Sequence, residues 1–161
     1  MTDRIQSRLQ ELGLELPAPM QLPPGLVLPF SWCKVLGRRV LISGHLPLAA
    51  DGSLWPVTGK VGAEVSVEQA NAAARQATLA MLATLQRELG SLERISNWGR
   101  IFGMVNTAPG FHQTVPVVNG CSDLLIAAFG PKIGSHVRSA VGFAELPMNV
   151  PVELEAELEI D

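Results

Sequence analysis

The chain has 161 residues, 47% of them hydrophobic and only 17% charged, with a formal net charge of -3. That length suits a single domain with a substantial core, and an acidic balance without a long basic run argues against nucleic-acid binding driven by phosphate charge. So few charged residues leave apolar surface uncovered in a monomer, and association is the natural remedy.

Residues 3 to 12 carry Ile5, Leu9 and Leu12 at helical spacing, with Gly13 as a stop. The amphipathic start has no apolar signal core, and no apolar run reaches membrane-spanning length, so a cytoplasmic protein is expected. Leu16 to Gly25 holds four prolines and reads as an extended connector. Residues 1–27 are thus an N-terminal helical arm and proline-rich connector ahead of a domain spanning 28–161. The apolar runs Leu26 to Lys34 and Arg38 to Gly44 predict two strands with a tight turn near Leu36-Gly37. Asp51-Gly52 is a further turn.

Ser66 and Gln69 form a capping-box pattern that opens a long helix. Its stripe Ala70, Ala73, Ala74, Ala77, Met81, Leu85 and Leu89 is flat enough to lie close on a sheet, and Gly90 ends it. A strand with two glycines falls within 94–106. Thr114 to Phe129 predicts a second helix, stopped by Gly130-Pro131. Val137 to Ala144 is a strand of small and apolar residues carrying one cation, Arg138. From Val152 to Ile160 apolar residues alternate with Glu153, Glu155, Glu157 and Glu159. Pro147-Met148-Asn149 reads as a turn, so the last two strands are expected to pair as a hairpin. After the short helix the order is β-β-α-β-α-β-β, which predicts an α+β sandwich: a mixed sheet with two helices on one face. The other face then needs cover from neighbouring subunits or from the N-terminal arm.

Cys33 and Cys121 are too few for a disulfide scaffold and sit in surroundings typical of free thiols. His45, His112 and His136 lack metal-ligand spacing, so no metal is expected, and there is no nucleophile elbow or phosphate loop. Arg138 and Glu153 are the sharper pair. A guanidinium in such a strand needs a carboxylate, a carbonyl or an anionic ligand. On a flat hairpin the two would lie roughly 20 Å apart at about 3.3 Å per residue, so a common site would have to straddle two subunits. The plainer reading, an interface ion pair for Arg138 and a solvated face for Glu153, stays open on spacing alone.

Val137-Arg138-Ser139-Ala140-Val141, Glu145-Leu146-Pro147 and Val152-Glu153-Leu154-Glu155-Ala156 together resemble the C-terminal signature of the RidA/YjgF family. Leu41-Ile42-Ser43-Gly44-His45-Leu46-Pro47 is similar to the family's Ser-Gly-Gln-Ile/Leu-Pro segment. The resemblance implies a chorismate-mutase-like fold assembled as a homotrimer, with clefts between subunits. It implies cofactor-free hydrolysis of reactive enamine/imine intermediates to 2-oxo acids and ammonia. Arg138 would clamp the substrate carboxylate and Glu153 would activate water. Phe30, Ser43, Gly44, Asn119, Ser139 and Ala140 would line the substrate site. Phe30 stands where the family has a tyrosine and Ala140 where it often has a cysteine. The alternatives are a non-catalytic binder of small carboxylates and, suggested by family naming only, an endoribonuclease.

Overall fold

The computed structural model describes residues 3–161. In order these form α1 (Arg4–Glu11), β1 (Cys33–Leu36), β2 (Arg39–His45), α2 (Val67–Leu89), a 3-10 turn at Leu92–Arg94, β3 (Ile95–Asn106), α3 (Thr114–Ile133), β4 (Val137–Phe143), a short turn at Pro147–Asn149 and β5 (Val152–Ile160). The capping box at Ser66 and Gln69 is formed, and Gly90 closes α2 in the left-handed conformation. Gly130, at φ 79°, breaks α3 ahead of Pro131, as the sequence predicts.

Two expectations about strands are corrected. The run from Leu26 is strand only from Cys33 onward, because Pro29 and the packing of its neighbours commit residues 26–32 to an irregular path. The expected hairpin is absent. The sheet order is β1-β2-β5-β3-β4, with β3 inserted between β4 and β5. β3 pairs parallel with β4 and antiparallel with β5. Sequence adjacency favoured a hairpin, but the eight residues between the last two strands step across the end of β3. Asn106, fully buried at that end, holds the step: its Nδ2 donates to Asn149 Oδ1 at 3.2 Å and to the Val150 carbonyl at 3.2 Å.

One face of the sheet carries the core. Val152, Leu154, Ala156, Leu158 and Ile160 of β5 and Ile101 and Val105 of β3 meet α2 and α3. A third helix joins this layer beyond the two expected: α1 buries Ile5 and Leu9 in the same core, and Arg8 Nε donates to the Ala127 carbonyl of α3. Glu153, Glu155, Glu157 and Glu159 point to the other, helix-free face, opposite Met104, Phe102, Arg100 and Asn97 of β3. Among the described residues no helix is long and apolar enough to cross a membrane.

The helices approach each other closely at Gly120, where a Cβ would run into the backbone carbonyl of Asn71 on α2. Backbone cannot yield as a flexible side chain can. Gly120→Val should therefore separate α2 from α3 and destabilise the fold by about 1–3 kcal/mol, read as a lowered midpoint in urea or thermal denaturation.

Candidate functional site

The residues singled out in the sequence fall into two groups on opposite faces of the sheet. Arg138 lies level with Ile101 and Ala156, which face the helices, whereas Glu153 lies level with Met104 on the helix-free face. Two strand spacings across and three residues along put their Cα atoms roughly 14 Å apart. One chain does not bring them together.

The first group surrounds Glu153. The β2–β5 register slips by one residue between Ile42 and His45, a bulge that turns Gly44 toward Glu153. A Cβ at position 44 would overlap the Glu153 carboxylate, so only glycine lets that side chain lie flat on the β2 backbone. Burial raises the Glu153 pKa above the ordinary carboxylate value, and the neighbouring Glu155 raises it further. A carboxylate so placed is a stronger proton acceptor once ionised.

Around Glu153 is a pocket of about 220 Å3, with Phe30, Trp32, Gly44, Leu46 and Met148 in its wall. Phe30 is 50% exposed and sits edge-on to Trp32, ring centroids 5.2 Å apart. Met148 holds the left-handed conformation at φ 54°, ψ 21°, a costly backbone state for a long side chain that places it at the pocket mouth. Ser43, expected to face substrate, donates its hydroxyl to the Ser31 carbonyl at 2.6 Å, which anchors the segment bearing Phe30.

The second group surrounds Arg138 on the edge strand β4. Nη1 donates to Ser122 Oγ at 2.8 Å, and Nη2 donates to Asn119 Oδ1 at 2.7 Å and to the Val115 carbonyl at 3.4 Å. Residues 115, 119 and 122 form one stripe of α3 beside β4. All three acceptors are neutral, and none of the ion pairs among the described residues includes Arg138. Asn119 thus acts on Arg138, fixing the plane of its fork. Ser139 lies level with Phe102 on the helix-free face. Ala140 packs against the core, and its carbonyl accepts from Thr114 Oγ1 at 2.9 Å, tying β4 to the start of α3.

Sequence reasoning passed over two histidines that brace these groups. His136 Nδ1 lies 2.8 Å from the Gly134 carbonyl, which can only accept, so Nδ1 carries the proton. Nε2 then accepts from Ser122 at 2.9 Å while Ser122 accepts from Arg138. The same logic holds at the bulge. His45 Nδ1 donates to the Ser43 carbonyl at 2.7 Å, Nε2 accepts from Thr84 Oγ1 at 2.9 Å, and Thr84 accepts from Arg87 Nη2 at 3.1 Å. Each relay runs from an arginine through a hydroxyl and a histidine to a backbone carbonyl. Only spatial proximity reveals them, since 84 and 45, or 122 and 136, share no recognisable spacing.

The sequence pattern of the family described as YjgF/chorismate mutase-like, putative endoribonuclease, matches residues 6–158. Protein TCP17 of Trypanosoma cruzi is 36% identical over 159 residues, covering 98% of this chain and 95% of that protein. Atu1372 of Agrobacterium tumefaciens, a protein of unknown function, is 34% identical with a TM-score of 0.86, covering 98% of this chain and 92% of that one. A protein described as a putative endoribonuclease from Shewanella oneidensis MR-1 is 30% identical with a TM-score of 0.87, covering 98% of this chain and all (100%) of that one.

Two outcomes follow from the bulge. Burial lowers the His45 pKa from 6.5 to about 4, with Arg87 adding to the effect. The unfolded chain therefore binds this proton at higher pH than the folded one. The stability in question is complete above pH 6.5 and is lost as pH falls toward 4, on the order of 3 kcal/mol in all. Urea unfolding across that window should show the slope in the wild type and a shallower one in His45→Gln. Gly44→Ala should expel the Glu153 carboxylate from its seat while leaving the fold intact, seen as a displaced side chain in a crystal structure.

Proposed function

The chain belongs to the YjgF/chorismate mutase-like family, and from that premise we propose that it is an enamine/imine deaminase whose site closes only between subunits of a homotrimer. The observation that carries this reading is the division just described: a carboxylate in an apolar pocket and an arginine without a charged partner, on opposite faces of the same sheet. Exposed apolar side chains gather around both. Val115, Ile126, Val137, Val141 and Phe143 lie on or beside the β4–α3 edge that bears Arg138, and Leu22, Leu26, Phe30 and Met148 line the Glu153 pocket. Apolar surface so placed favours burial against a second copy, and a rotational assembly sets the β4 edge of one subunit against the pocket of the next.

In the closed site Arg138 holds the carboxylate of a 2-imino acid by its charge and by the N–H donors that Asn119, Ser122 and Val115 leave free. Asn119, Ser122 and the Val115 carbonyl keep that fork oriented, so little entropy is lost when the ligand docks. Glu153 accepts a proton from a water whose oxygen bonds to the imine carbon. The C=N π electrons move to nitrogen, which takes that proton from Glu153 and leaves a neutral carbinolamine. Glu153 then accepts the carbinolamine's hydroxyl proton as the C=O bond of the 2-oxo acid forms. It passes that proton to the nitrogen as the C–N bond breaks and ammonia leaves, so the carboxylate ends as it began.

A specific feature favours a second reading, a metabolite-binding protein without turnover. Phe30 supplies a ring and no hydroxyl, and the Ser43 hydroxyl is already committed to Ser31. RNA cleavage has less support, because four glutamates of β5 face the same side as the pocket and repel phosphate.

The test generates 2-iminobutanoate or 2-iminopropanoate with a dehydratase and follows 2-oxo acid release. The protein should accelerate release, Arg138→Ala should reduce kcat/KM by about 100-fold, and Glu153→Gln should reduce kcat by about 100-fold or more with 2-oxo acid binding retained. No acceleration, or equal acceleration by Arg138→Ala, contradicts the deaminase reading. Thermal stabilisation by small carboxylates that vanishes in Arg138→Ala, without turnover of any imine, selects the binding protein instead.

A further inference from the structure

The pocket around Glu153 is closed on one side by a segment outside the sheet and helices. After α1, Leu14 and Leu16 pack against the main core. The chain is then laid along the 49–53 turn, Ala18 N–H donating to the Ala50 carbonyl and Gln21 N–H to that of Gly52, both at 2.9 Å. From there Met20, Leu22, Leu26 and Leu28 form a wall of the pocket. The prolines at 17, 19, 23 and 24 keep this stretch extended and remove backbone donors that would otherwise need partners. The wall therefore presents side chains rather than peptide groups.

The pocket's residues are apolar almost throughout, and Glu153 is the one charged group in its lining. Apart from its carboxylate and the carbon and nitrogen that react, a ligand here meets only hydrocarbon, sulfur and aromatic rings. Polar substituents would lose hydration without compensation. The size of the space discriminates further. This subunit's share of the site is an open pocket of about 220 Å3, larger than a cavity of about 150 Å3 that takes up benzene. A methyl substituent would leave much of its apolar wall uncovered, whereas a branched aliphatic or phenyl substituent would cover it.

Resting on the deaminase reading for its chemistry, we infer that the Met20–Leu28 segment makes this site selective for 2-imino acids with bulky apolar side chains, those derived from leucine-like or phenylalanine-like amino acids. The segment sets specificity and takes no part in the proton transfers. Each additional methylene seated in an apolar pocket is worth about 10-fold or more in discrimination, so even partial filling separates the substrates measurably.

The experiment forms imines in place from alanine, leucine and phenylalanine with an L-amino acid oxidase, and compares kcat/KM for the wild type and for Leu22→Ala/Leu26→Ala. It is paired with calorimetric binding of pyruvate, 4-methyl-2-oxopentanoate and phenylpyruvate. The expected result is at least a tenfold preference for the leucine- and phenylalanine-derived imines over the alanine-derived one, and a smaller ratio between them in the double variant. Equal rates on all three, or a preference for the alanine-derived imine, overturn the inference and leave the deaminase reading standing. If no imine is accelerated, the deaminase reading fails and binding alone decides: bulky 2-oxo acids held at least tenfold more tightly than pyruvate, with the difference lost in the double variant, sustain the ligand class, and equal affinities overturn it.

Discussion

A guanidinium held entirely by oxygens without charge is the constraint on which the rest of the site depends. Ser122, Asn119 and the Val115 carbonyl satisfy much of Arg138's hydrogen-bonding capacity and fix its direction, but they neutralise none of its charge. A half-buried cation left in that condition retains a strong preference for an anion. Much of the local architecture serves to hold it there. α3 supplies the three acceptors along one stripe, Thr114 ties the helix start to β4, and His136 fixes the rotation of the Ser122 hydroxyl. The Glu153 group is built on a different constraint. A β-bulge exposes a bare glycine backbone, and a carboxylate lies against it in apolar surroundings where ionisation is less favourable. One chain carries both groups on opposite faces of its sheet, two strands and three residues apart.

That separation gives the helix-free face its meaning. In a protein with 17% charged residues, β5 nonetheless carries a glutamate at every second position on that face. Beside these lie Phe102 and Phe143, edge to face at 6.3 Å, with Arg100 over the Phe102 ring. Arg39 pairs with Glu157 toward the far edge. The face thus mixes partly exposed rings with ordered charges. The last strand alternates so strictly because one side packs into the core and the other carries its glutamates away from it.

Much of this was legible in the sequence where a local rule governs. The capping box at Ser66, the left-handed stop at Gly90 and the break at Gly130 are dictated by neighbouring residues and appear where the pattern places them. The alternation from Val152 to Ile160 fixes the faces of β5, and Arg138, Ala140 and Gly142 share the helix side of β4 as their spacing requires. Non-local pairing was not legible. Nothing within 137–160 says that β3 will enter between the two final strands, because that choice depends on which hydrophobic strand best covers β5 across the whole sheet. The residues at 26–32 mislead for a related reason. Their apolar content suits a strand, but their partners are the bulge and the Met148 turn, so the run became a pocket wall. Glu153 stands out beside Arg138 from the residues alone and Gly44 through motif resemblance, and the physical reason for the glycine is visible only where the carboxylate rests on it. The two histidine relays join residues 14 and 39 positions apart, beyond the reach of any periodicity.

The central claim is that Arg138 of one subunit and Glu153 of another serve one reaction. Arg138→Ala and Glu153→Gln, each about 100-fold or more below the wild type alone, should complement when unfolded together and refolded as mixed assemblies. Random association would then rebuild about one site in four with both native residues, restoring roughly a quarter of the wild-type imine hydrolysis. Mixed assemblies verified by mass spectrometry that stay as inactive as either variant alone would contradict the account, because both residues would then have to act within a single chain.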